Sequence, residues 1–151
     1  MKPATKITLL FLGLFSGAWA DEPLWTEQER LEQRDAVLVG SVISEAKLGK
    51  LDDQQELHMA VFQVDSVKKG ENTSKGSKVY VYYEFSALGR CPRYPELKAG
   101  DKGTLFLVNL TDAHKKSFGK LKTREASWYL EMGSDFIKEP AKQSAVPNRK
   151  R

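Results

Sequence analysis

The stretch AVLVGSVIS, Ala36 to Ser44, decides the fold. It is rich in β-branched residues and apolar on both of the faces that a strand presents, so both faces have to be covered. Gly40 stands in its middle, where a strand can coil sharply or let another backbone come close. A strand of this kind belongs inside a closed sheet that has something laid over its outer surface.

The sequence around it agrees. Upstream, Thr26 and Glu29 have the spacing of a capping box, and Glu27 to Arg34 is rich in Glu, Gln and Arg, which are good helix formers. Leu31 is the main apolar contact of this short amphipathic helix. Downstream, LHMAVFQVDSV (Leu57 to Val67) reads as a second strand, ended by Lys68-Lys69-Gly70-Glu71. KVYVYYEF (Lys78 to Phe85) reads as a third. Val79, Val81, Tyr83 and Phe85 fall on one of its faces, and Lys78, Tyr80, Tyr82 and Glu84 on the other. A turn at Leu97-Lys98-Ala99-Gly100-Asp101 leads into TLFLVNL (Thr104 to Leu110), also apolar on both faces, and SWYLEM (Ser127 to Met132) is the fifth strand. The expected fold is mainly β: a five-stranded OB-like closed barrel with a short flanking N-terminal helix. Closure also removes exposed sheet edges.

The ends of the chain read differently from its body. Lys2 and Lys6, the apolar run Ile7 to Trp19, and Ala18-Trp19-Ala20 have the three parts of a cleavable signal peptide over residues 1–20. Cleavage after Ala20 makes Asp21 the first mature residue. The expected location is then periplasmic or secreted, with no stable membrane insertion after cleavage. Residues 139–151, EPAKQSAVPNRKR, hold two prolines and almost no large apolar residue, the composition of a disordered basic tail. Residues 21–138 remain as one domain by length.

The charge follows the same division. The formal net charge of the chain is +4. Residues 1–20 carry two lysines and no acid, and residues 139–151 carry a net +3, which leaves −1 on the domain. The basic character therefore lies in the ends and argues little for a nucleic-acid face on the barrel.

Several segments, in order, resemble the netrin-module group, whose members include the tissue inhibitors of metalloproteinases. These are the short helix leading into Asp35-Ala36-Val37-Leu38-Val39-Gly40-Ser41-Val42, the run Phe62-Gln63-Val64-Asp65-Ser66-Val67-Lys68-Lys69-Gly70, the strand with Val79 and Val81, Cys91, and Leu97 to Asp101 followed by Leu105-Phe106-Leu107-Val108. The resemblance covers about Leu31 to Leu110 and implies an OB-like barrel. In the inhibitors a cysteine is the first mature residue and chelates the protease zinc through its amine and carbonyl. Here Asp21 takes that place and lacks the disulfides that hold the family's N-terminus rigid. Cys91 resembles the family cysteine before the fourth strand, without its usual partner.

The residues that carry chemistry are few. The histidines, His58 and His114, are far apart in sequence, and no close set of metal ligands joins either. Asp52, Asp53 and Glu56 lack the glycine and the ligand spacing of a calcium loop. Cys91, the single cysteine, reads as a free or buried thiol, or as one paired with another molecule, and no base is placed beside it in sequence. No phosphate-binding glycine pattern occurs. Asn72-Thr73-Ser74 and Asn109-Leu110-Thr111 match the glycosylation acceptor pattern.

These observations lead to no catalytic set, no cofactor and no metal, and to an exported non-enzymatic binding module whose partner is an extracytoplasmic protein, with an inhibitor-like role as one version. The alternative ligand is a polyanion or a glycan. It would stack on Tyr80 and Tyr82 beside Lys78 and be gripped by Lys115, Lys116, Lys120, Lys122 and Arg124 of a loop spanning Asp112 to Glu125. Burial of the two tyrosines under the helix or a loop is the competing reading.

Overall fold

The computed structural model describes residues 25–86, 95–121 and 128–140. Residues 1–24, with the expected signal peptide and Asp21, as well as Cys91, Lys122, Arg124 and most of residues 139–151, lie outside the described residues.

Helix α1 spans Glu27–Gln33. Its capping box is formed: the Thr26 hydroxyl accepts from the Glu29 N–H at 3.2 Å, and the Thr26 N–H donates to the Glu29 carboxylate at 2.7 Å. No residue of this helix is buried, so it has no apolar face large enough to hold it in place. It is anchored through arginines. Arg30 lies over the Phe106 ring at 6.0 Å and donates to the Ser134 carbonyl. Arg34, at the helix C-cap, is only 4% exposed. Its guanidinium donates to both carboxylate oxygens of Asp135, at 2.8 and 3.3 Å, and to Glu131 at 2.6 Å, and it lies 5.0 Å from the Trp25 ring.

The strands are β1 (Ala36–Lys50), β2 (Gln55–Lys69), β3 (Lys78–Ser86), β4 (Lys102–Asn109), β5 (Trp128–Leu130) and β6 (Phe136–Lys138). Hydrogen bonding runs β1-β2-β3-β5-β4, and β4 returns to β1, closing a five-stranded barrel. β3 and β5 pair parallel, and the other pairs are antiparallel. β6 adds to β4 below β5, through Gly103, Thr104 and Leu105. The sequence reading did not include this sixth strand, which at three residues is too short to show a period.

Closure depends on close backbone approach. Gly40 and Gly103 face each other across β1 and β4. A Cβ at Gly40 would fall 1.9 Å from the Gln63 carbonyl oxygen, and one at Gly103 would fall 2.3 Å from that of Ile137. Four register shifts between β1 and β2 bend this hairpin as it winds round the barrel.

The alternation read in β3 divides the core in two. Val81 and Tyr83 join Leu38, Val42, Phe62, Val64, Leu105, Leu107 and Leu130 in the main cluster, with Val79 packed against it. Tyr82 points the other way, into a second cluster with Leu57, Leu110, Phe118 and Tyr129. The lid of that second cluster corrects the sequence reading. The segment from Asp112, expected to be a loop, starts with helix α2 (Asp112–Phe118) and a 3-10 turn, Gly119–Leu121. Thr111 caps α2: its hydroxyl accepts from the His114 N–H, and its own N–H donates to His114 Nδ1, each at 3.2 Å. Histidine here does the work that glutamate or glutamine does in the usual box.

Candidate binding site at the barrel mouth

At one end of the barrel β1, β3 and β5 begin while β2 and β4 finish. Asp35 precedes β1, Lys69 closes β2, the loop Gly70 to Thr73 leaves it, Asn109 closes β4 and Trp128 opens β5. These residues surround a cavity of about 670 Å³, within the size range of small-ligand and side-chain pockets. Mouths of β-barrels are recurrent binding places because the strands fix the rim while the loops vary.

The rim is held by directed bonds. The Asp35 carboxylate accepts from the Asn109 backbone N–H at 2.7 Å, and the Asp35 N–H donates to the Leu107 carbonyl at 2.9 Å, which ties the start of β1 to the end of β4. The Lys69 ammonium donates to the carbonyls of Leu31 and Glu32 at 2.9 and 3.1 Å. Those carbonyls lie in the last turn of α1, where unpaired acceptors and the helix dipole favour a cation. Asn72 adopts a left-handed conformation (φ 61°), which asparagine tolerates better than most residues. Both glycosylation-pattern asparagines, Asn72 and Asn109, line this one cavity. Strand topology brings them together, and nothing in their separate sequence patterns indicates it.

The residues expected to stack a ligand lie elsewhere. Tyr82 is fully buried, with its ring 5.4 Å from that of Phe118, and Tyr80 is partly buried against the same cluster. The outer surface of β2 and β3 around Leu57 and Tyr82 is thus covered by α2, and Tyr82 offers no face for a base or a sugar. Lys115, Lys116 and Lys120 are exposed on α2 and the turn after it, with Lys115 3.5 Å from Asp112.

A second polar group was missed in sequence because it depends on register. β1 runs on to Lys50, past the expected end at Ser44, and this extension sets Glu45 and Lys47 beside Glu56 and His58 of β2. His58 Nδ1 meets the Glu45 carboxylate, its Nε2 lies 3.4 Å from Glu56, and Lys47 pairs with Glu56. The His58 ring packs on Tyr83 and Phe85, with centroids 5.4 and 5.3 Å away. Burial, reinforced by the Glu45 carboxylate to which its hydroxyl is bonded, holds the Tyr83 phenol well above its ordinary pKa. The lysine contact draws the Glu56 carboxyl below its usual range. Among the described residues no three His, Cys, Asp or Glu side chains gather as metal ligands. This group buttresses the extended hairpin.

Other acids have structural work too. Asp52 Oδ1 accepts from the N–H groups of Gln54 and Gln55, both at 2.7 Å, and so closes the hairpin turn. Burial pushes the Glu84 carboxyl above the usual range, against the opposing pull of His114 and a hydrogen bond from Tyr129. Burial likewise raises Asp135, against the pull of Arg34.

In comparisons with known proteins, no protein-family model, curated protein or solved structure matches this chain.

Proposed function

We propose that this chain is an exported, non-enzymatic binding module that engages an extracytoplasmic protein at the mouth of its OB-like barrel. The observation that carries the reading is the cavity between Asp35, the Lys69 to Thr73 segment, Asn109 and Trp128. It has a polar rim fixed by backbone bonds, on a barrel whose usual ligand face is sealed by α2. A rigid rim lowers the ordering cost of binding. Export rests on the signal pattern of residues 1–20, and cleavage after Ala20 should be visible as a mature N-terminus at Asp21.

The test is site-directed photo-crosslinking in the exporting host. A crosslinker at Asn72 should yield one discrete protein adduct, and the same group at Lys116 on α2 should not. Folded protein that yields no adduct from Asn72 would refute the reading. The netrin-like resemblance adds a narrower version, inhibition of a metalloprotease through Asp21. Titration of a zinc metalloprotease decides it: no loss of activity at micromolar excess removes that version and leaves the module reading intact.

A further inference from the structure

We propose that the mouth recognises a basic side chain, a lysine ammonium or an arginine guanidinium, presented by the partner protein. This rests on the binding-module reading above and names the chemistry of its contact.

The charges on the rim lead to it. Among the described residues, Asp35, Glu71 and Lys69 are its ionisable groups. The Lys69 ammonium is already turned to two helix carbonyls, whereas the two carboxylates that line the cavity meet no cationic side chain among the described residues. The field in the mouth is therefore acidic. Asn72 and Asn109, which line the cavity, carry side-chain carbonyls that can add neutral acceptors, and Trp128, mostly buried in the core, adds to the lining an aromatic side chain of the type that cations favour. A guanidinium has five N–H donors and no acceptor, and an ammonium has three, so either matches a rim rich in acceptors. An anionic ligand would face two carboxylates and find one cation already engaged. The cavity exceeds one arginine side chain in volume, so a loop that presents the side chain can enter with it.

The experiment titrates Nα-acetyl-L-argininamide into the isotopically labelled chain and follows the Trp128 indole N–H and the Asn72 and Asn109 side-chain amides by NMR. Nα-acetyl-L-citrullinamide, the neutral isostere, is the control. Saturable shifts at these three residues with a dissociation constant on the order of millimolar, and affinity for the isostere at least about tenfold weaker, are the expected result. The double variant Asp35→Asn/Glu71→Gln should lose about tenfold or more. It keeps an acceptor oxygen for the Asn109 N–H, and its own spectrum reports whether it folds.

Equal shifts with both compounds would overturn the proposal, independently of how the variant behaves. So would shifts of the same resonances by chitotriose together with silence toward the acetylated argininamide, which would make the mouth a saccharide site. An adduct from the Asn72 crosslinker that forms undiminished in the double variant would also overturn it, while the module reading stands. Loss of that adduct in the folded double variant supports both.

Discussion

Replacing Phe118 by alanine tests the feature that most constrains where this protein can bind. Phe118 is 2% exposed and is the one buried residue of α2. Its ring lies 5.4 Å from that of Tyr82 and 6.0 Å from that of Tyr129. Truncating a buried phenylalanine costs about 3–5 kcal/mol, from lost transfer energy and from the cavity left behind. α2 is a short surface helix that can settle partly into the gap, so the lower end, about 3 kcal/mol, is expected. Phe118→Leu keeps most of the volume and should cost about 1 kcal/mol. Equilibrium urea unfolding reads both, with the slope checked for constancy so that midpoints can be compared. The alanine variant should also open the tyrosine cluster to acrylamide quenching well below the unfolding midpoint. A loss under about 1 kcal/mol at constant slope, with quenching unchanged, would mean that α2 does not seal the outer face of β2 and β3. That face would then be open to a ligand, and the mouth would lose its proposed place as the binding site.

Three further outcomes follow from particular contacts. Arg34→Ala leaves the nearly inaccessible Asp135 without its bidentate partner and should cost about 3–5 kcal/mol in urea unfolding, whereas Arg34→Met with Asp135→Leu should recover most of that; equal losses in both would show that the ion pair is not what anchors α1. Gly40→Ala forces a methyl group onto the Gln63 carbonyl and should lose about 3 kcal/mol, at the upper end for overpacking; a neutral result, read from the same midpoint, would mean that β1 and β2 can part there at no cost. Glu84 has a raised pKa in the folded state, so the native protein holds that proton more tightly than the unfolded chain, and the Glu84 contribution to stability falls as pH rises through the window above about 4.3. Glu84→Gln should remove that part of the slope, so the variant's advantage over wild type grows between pH 4 and 7; parallel profiles would show that the carboxylate is solvated.

The barrel was legible in the sequence because its signals are local. The two-sided apolarity of Ala36 to Ser44 required cover on both faces, and the alternation in Lys78 to Phe85 assigned Val81 and Tyr83 to one core and Tyr82 to the other side. What was not legible depends on pairing partners. The basic run around Lys115 and Lys116 hid a helix, because charge masked the cap at Thr111 and the one apolar anchor, Phe118. The Glu45, His58 and Glu56 group appears only when the β1–β2 register is known and β1 is followed past Ser44. The mouth is further from the sequence still. Asp35, Asn72, Asn109 and Trp128 come from four separate segments, and each in its own neighbourhood reads as an ordinary turn or strand-end residue.

The placement of α2 bears directly on function. OB-type barrels commonly take ligands across the face of strands two and three, and the aromatic residues on that face here, Tyr80 and Tyr82, would suit the purpose. They pack instead against Phe118 and Tyr129 in a continuous apolar cluster. Uncovering them would expose Leu57, Tyr82 and Phe118, all essentially without solvent contact. Across the barrel, α1 and the Arg34–Asp135 pair occupy the surface beside β4. With these two faces taken up by the chain's own helices, the mouth combines fixed geometry with polar groups not wholly used within the fold. If the mouth binds a partner as proposed, the contacts fall on Gly70 to Thr73, Asp35 and Asn109, positions at the edge of the core. Substitutions at Glu71 and Thr73, away from the Asp35–Asn109 bond and from the positive-φ Gly70 and Asn72, should alter that binding while leaving the unfolding midpoint nearly in place.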